Sequence, residues 1–123
     1  MALSLLGVVA DVGTTHAIQT TATSTADVLK AGAGKIYKVE IDNSANGGAV
    51  YLKLFDTTGD VTAGATAPDF SFKCPGSSVK VFSCPQGHAF ATGLKALCVT
   101  NGGGTAGNTN PGSPVIYRIL FGS

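Results

Sequence analysis

Residues 35–42 read Lys-Ile-Tyr-Lys-Val-Glu-Ile-Asp, alternating apolar and charged side chains with a period of two. Only an extended strand sends successive side chains to opposite faces, so this pattern demands half-buried antiparallel sheet. It places Tyr37, Val39 and Ile41 on a core face and Lys38, Glu40 and Asp42 on a wet one. Residues 49–56 repeat the pattern, with Val50, Leu52 and Leu54 on one side and Tyr51, Lys53 and Phe55 on the other. That second side is not simply polar, which calls for a partial cover. Residues 114–121 put Val115, Tyr117, Ile119 and Phe121 in phase. Helix signals are nearly absent: the longest candidate, residues 25–31, runs into Gly32-Ala33-Gly34 and is as easily a brief strand.

The segments between these strands are turns. Asn43-Ser44-Ala45-Asn46-Gly47-Gly48 supplies residues that tolerate positive φ. Residues 57–68 form a linker of Thr, Gly, Ala and Asp, too small and polar to build core and placed by that composition on the surface. Phe70, Phe72 and Cys74 share a face, and the turn 75–78 leads into Val79-Lys80-Val81-Phe82, which reads as a hairpin. Residues 87–94 read as a glycine-bracketed turn around a buried Phe90, followed by a strand over 94–99. Residues 101–112 form a second long loop, without the Gly-Lys-Ser/Thr ending of a phosphate-binding loop. Residues 14–23 are threonine-rich and strand-compatible. Seven or eight short strands at regular spacing predict an all-β, antiparallel β-sandwich of jelly-roll type. The expected organisation is a single domain over 14–123 preceded by an N-terminal arm or docking strand over 1–13.

Composition narrows the function. Charged residues make up only 12 % of the 123-residue chain and its formal net charge is +1. Its basic residues are scattered singly along predicted strands, without the clustering that nucleic acid requires. No apolar run is long enough to span a bilayer. A weakly charged surface points to an oligomer or a component of an assembly. The N-terminal residues Leu3, Leu5, Leu6, Val8 and Val9 are apolar, yet no positive charge precedes them and no cleavage pattern follows. They read as an arm that contacts a neighbour rather than as a signal peptide, and are the candidate interaction residues.

The inventory of chemistry is thin. Cys74, Cys84 and Cys98 are odd in number, so they form no complete disulfide framework. A zinc site from Cys84, His88 and Cys98 lacks the spacing of paired ligands, and buried free thiols account for the cysteines more simply. Unpaired thiols fit a reducing compartment of synthesis such as bacterial cytoplasm. Asp56, Asp60 and Asp69 flank one loop but lack the spacing of a calcium loop. A Cys84–His88 nucleophile pair has no evident orienting group, and His16 and Glu40 sit apart on predicted strands. The expectation is a binding or building protein, not an enzyme, with no catalytic residue, metal or cofactor.

Four features in order resemble small β-sandwich virion proteins of tailed bacteriophages. They are Tyr51-Leu52-Lys53-Leu54-Phe55-Asp56, the loop to Pro68, Gly87-His88-Ala89-Phe90-Ala91-Thr92-Gly93-Leu94, and the Gly/Thr/Asn loop before the last apolar strand. The resemblance covers about two-thirds of the chain, and Asp69-Phe70-Ser71-Phe72-Lys73-Cys74 departs from it. It implies a capsid decoration (cement) protein that binds the outer shell and stabilises it through subunit contacts. The implied partners are the major capsid protein or another virion protein, with homo-oligomer formation. The implied location is the virion, after synthesis in host bacterial cytoplasm. The loops 57–68 and 101–113 become candidate outer or interface surfaces. The alternative is a glycan-binding or fibre- or tail-associated β-sandwich module using Tyr51 and Phe55, although the chain has no tryptophan. A secreted host β-sandwich is a third reading.

Overall fold

The computed structural model describes residues 14–100 and 107–122. The expected arm over 1–13, with Leu3, Leu5, Leu6, Val8 and Val9, and residues 101–106 of the second long loop lie outside the described residues. The rest is all-β, without a helix among the described residues. Eight strands follow one another: β1 (Thr14–Gln19), β2 (Asp27–Ala31), β3 (Gly34–Asp42), β4 (Val50–Phe55), β5 (Phe70–Cys74), β6 (Val79–Phe90), β7 (Gly93–Val99) and β8 (Ile116–Gly122).

Two antiparallel four-stranded sheets pack as a β-sandwich, one ordered β1-β8-β3-β6 and the other β2-β7-β4-β5. The partnerships nest. β4 pairs with β5, β3 with β6, β2 with β7 and β1 with β8, each pair enclosing the last in sequence. Among the described strands β4 and β5 are thus the only consecutive ones that pair; every other connection between them crosses from one sheet to the other. The expected hairpin of 70–74 with 79–82 is therefore not formed. β5 and β6 lie in different sheets, and the turn at 75–78 is an arch over the end of the sandwich. Ser77 takes positive φ in this arch, and its N–H donates to the Asn46 carbonyl at 2.7 Å.

The alternation read from sequence fixes the core. Val50, Leu52 and Leu54 of β4 are fully buried, and face Val115, Tyr117, Ile119 and Phe121, which are equally enclosed. Val39 and Ile41 join them, but Tyr37 does not. A bulge explains this departure. Ile36 pairs with His88, whereas Lys38 pairs with Ser83, so Tyr37 alone stands opposite residues 84–87 of β6. Against β8, where Ile36 and Lys38 pair with the consecutive Phe121 and Leu120, Tyr37 is an extra residue that shifts the phase, and Ile36 takes the core position instead. For the same reason the turn expected at 87–94 is mostly strand: β6 continues through His88, Ala89 and Phe90 before the chain reverses at Ala91-Thr92. Gly87 permits the bulge, with φ of +81° and the Lys35 and Tyr37 side chains where a Cβ would stand.

The wet side of β4 acquires its cover from the loop thought too small for core. Val61 and Ala63 pack with Tyr51 against buried Phe55, Leu97 and Val99 on the outer face of the second sheet. Lys53 is buried on that face as well, and its burial lowers its pKa. Backbone and side-chain hydrogen bonds pin the loop. Asp69 N–H donates to the Leu54 carbonyl at 2.9 Å, and Lys95 Nζ donates to the Gly59 carbonyl at 2.6 Å.

Candidate functional site

The 57–68 loop covers part of the outer face of the second sheet, and the outer face of the first sheet carries most of the large apolar side chains left exposed among the described residues. Strand register lays out its rows. Ile18 of β1, Arg118 of β8, Glu40 of β3 and Val81 of β6 stand side by side. The next rows hold His16, Leu120, Lys38 and Ser83 on one side, and Ile116, Asp42 and Val79 on the other. On β3 and β8 the intervening Val39, Ile41, Tyr117 and Ile119 point inward and are buried, so the side chains of these rows face out. Ile18, Val79 and Val81 are 55 %, 49 % and 51 % exposed, which makes them three of the four large apolar side chains left exposed among the described residues. Ile116 and Leu120 are half-buried between them. In the middle, Arg118 Nη1 donates to Glu40 Oε2 at 2.7 Å, a half-exposed pair that neutralises the centre of the face. The surface is apolar at both flanks and internally charge-balanced.

A second feature opens at one edge. β5 and β6 are the edge strands of their sheets on the same side of the sandwich, and among the described residues no further strand closes the gap. Phe72 and Phe82 meet across it with ring centroids 4.9 Å apart, and Phe70 meets His88 edge-on at 4.6 Å. Such contacts each add about 0.5–1.5 kcal/mol beyond area burial. They hold open a cleft of about 250 Å³ whose floor includes Ile36 and Val39 and whose rim carries Cys84. His88 is thus an aromatic partner of Phe70.

The three cysteines part company. Cys74 and Cys98 are buried in the core, whereas Cys84 is exposed on the bulged stretch of β6, correcting the reading of all three as buried thiols. Burial raises the Cys98 pKa to about 12 and raises that of Cys74 as well. Cys74 Sγ lies 3.5 Å from the Ser78 carbonyl oxygen and 3.6 Å from that of Ile41. Cys84 and His88 share the cleft with Phe70 and Phe82, but Cys98 belongs to the core between the sheets, so the drawn zinc trio does not assemble. Among the described residues no three His, Cys, Asp or Glu side chains are grouped to hold a metal ion.

The loop carboxylates have architectural work. Asp56 accepts hydrogen bonds from the N–H groups of Ala91, Thr92 and Gly93 at 2.8, 2.8 and 3.3 Å. Those bonds hold its pKa below the usual carboxylate value. Asp69 Oδ2 in turn accepts the Asp56 N–H at 2.6 Å. Asp60 stays exposed. At the opposite end Asn43, fully buried, directs its Nδ2 at the carbonyl oxygens of Gly48, Pro75 and Cys74 at 2.9, 3.1 and 3.3 Å. Sequence reading passed over this residue, since an Asn before a glycine-rich turn signals only the turn.

Comparison with protein-family models and with curated proteins finds no match for this chain. Its surfaces are therefore read from their own chemistry. The aromatic pair considered for a glycan platform is not presented as one: Phe55 is buried beneath the 57–68 loop, and Tyr51 packs in the same small cluster. The outer face of the first sheet holds three of the four exposed large apolar side chains among the described residues.

Proposed function

We propose that this chain is a non-enzymatic structural module of jelly-roll type that decorates the outer shell of a tailed-phage virion and stabilises it through subunit contacts. The observation that carries this reading is the open face of the first sheet, where Ile18, Val79 and Val81 flank a neutralised centre. Exposed apolar side chains gathered on one face of a small domain mark a surface that associates. The nested strand order supports the fold half of the proposal, because paired Greek keys in two four-stranded sheets are the jelly-roll plan used by capsid and lectin domains. Lattice repetition supports the rest: modest contacts become tight when many are engaged at once. The apolar segment holding Leu3, Leu5, Leu6, Val8 and Val9 would supply a second contact to a neighbouring subunit or to the major capsid protein.

The test is co-sedimentation of the purified chain with virus-like particles from its native source in a density gradient. Stoichiometric migration of the wild type, lost in the Val79→Lys/Val81→Lys double variant, is the expected result. Both valines are exposed, so the variant should fold. Free protein at the top of the gradient, with unchanged particles, would overturn the proposal.

A further inference from the structure

A β-sandwich has four strand edges, and each one exposes unpaired backbone N–H and C=O groups that invite another strand. Natural sheets blunt such edges with charge, proline, bulges or brevity. Three of the four edges here carry these devices. β2 holds Asp27 and Lys30 and is bulged between Val28 and Lys30. β5 has only five residues and bears Lys73. β6 places Lys80 in register with buried Ile41, so the ammonium points along the inner face, and it carries Pro85 within its bulged stretch. β1, one residue longer than β5, carries neither charge, proline nor bulge. Thr14-Thr15-His16-Ala17-Ile18-Gln19 contains no charged residue formally counted at neutral pH and no proline. Its pairing with β8 runs without a break from Thr14↔Gly122 to Gln19↔Tyr117.

We infer that β1 is a homotypic seam: the β1 edges of two copies pair antiparallel about a two-fold axis, joining their first sheets into one eight-stranded sheet. The occupant is a second copy because the edge is compatible with itself. Antiparallel pairing sets residues of like parity opposite one another, so the outward set, His16 and Ile18, meets its own kind while the inward set meets its own. No like charges collide when a neutral edge pairs with its twin, whereas homotypic pairing of β5 or β6 would bring lysines together. Ile18, 55 % exposed, would gain a cross-strand neighbour from the partner's outward row. Pairing at β1 would also carry the open face of the first sheet from one copy into the next. The inference goes beyond the shell-binding proposal and does not depend on it.

Sedimentation velocity over a range of concentrations, combined with hydrogen exchange, tests the seam on the full chain. The expected result is a reversible dimer in which alternate β1 amides are protected and lose that protection on dilution. Ile18→Lys should raise the dimer dissociation constant at least about tenfold, a loss of about 1.4 kcal/mol. Circular dichroism checks its fold, and Val28→Lys on the neighbouring edge should dimerise like the wild type. Removal of residues 1–13 should leave the dimer in place. A monomer throughout, a trimer, or an Ile18→Lys variant that dimerises normally would each overturn the seam. So would a dimer lost on removing residues 1–13, which would make that segment the occupant. A monomer that still co-sediments with particles would overturn the seam and leave the shell-binding reading standing.

Discussion

Tyr117 of β8 donates its phenolic hydrogen to Asp27 Oδ2 of β2 across 2.6 Å, tying the two sheets together through the core. Gln19 of β1 completes the arrangement, its Nε2 lying 3.2 Å from both oxygens of the same carboxylate. One carboxylate thus receives donors from two neighbouring strands of the opposite sheet.

Burial, reinforced by the bond to Asp27, pushes the Tyr117 pKa far above the ordinary tyrosine value of 10.0. Because the folded value is the higher one, Tyr117 contributes stability in full below that ordinary value, and the contribution is lost as the pH climbs above it. Tyr117→Phe should cost about 1–2 kcal/mol at neutral pH by stripping Asp27 of its shortest donor. The variant should also show a shallower alkaline loss of stability. Urea denaturation at neutral and alkaline pH measures both effects; an unchanged alkaline slope would refute the assignment.

Asp56 works in the opposite sense. Its folded pKa lies below the model-peptide 3.8, so its stabilising effect is present above that value and drains away as the pH falls through the lower folded one. Asp56→Ala removes the acceptor from Ala91, Thr92 and Gly93 at once. Its melting temperature should fall below the wild-type value at neutral pH, and the gap should narrow on acidification below about pH 4. A gap independent of pH would show that the charge is not what binds the turn.

Asn43 should be among the least replaceable polar residues. Asn43→Ala leaves the Gly48 and Pro75 carbonyls without their side-chain donor and opens a hole where a fully buried amide stood, at a cost of about 1–3 kcal/mol. Asn43→Asp should be similarly harmful, since it turns a donor into an acceptor facing carbonyl oxygens. Denaturant midpoints of the two variants check this. Near-wild-type stability of the aspartate would show that the donor is dispensable.

Thiol reactivity should separate the cysteines cleanly. The thiolate is the reactive species, and both burial and raised pKa withhold it at Cys74 and Cys98. A chromogenic disulfide reagent at about pH 8 should titrate one thiol per native chain, and Cys84→Ser should abolish that signal. In denaturant all three should react.

What the sequence disclosed was what period two can disclose. Val50, Leu52 and Leu54, or Tyr117 and Ile119, sit where the alternation puts them because a strand has no other way to bury them. Partnership was less legible. Phe72 and Phe82, ten residues apart around a Pro-Gly turn, carry the signature of a hairpin, and only the competition among all eight strands sends them to different sheets. The phase of β3 was lost at Tyr37 because this residue is an extra one against β8, a bulge that shows only once the pairing partners are known. The loop over 57–68 looked incapable of core, yet Val61 and Ala63 need contribute only small surfaces once Phe55, Leu97 and Val99 wait beneath them. The open face emerges only when β1, β8, β3 and β6 are set side by side, since no single strand reveals it.

The outermost pair in the nest has an architectural consequence. Thr14 stands beside Gly122, so the path into β1 and the path out of β8 pass through the same corner of the molecule. Anything joined before the first strand is held within a strand's width of anything joined after the last, about 5 Å at the point of attachment. A short linker from Gly122 to Thr14 would close the eight strands into a ring, and new ends could be cut elsewhere without unthreading the sandwich.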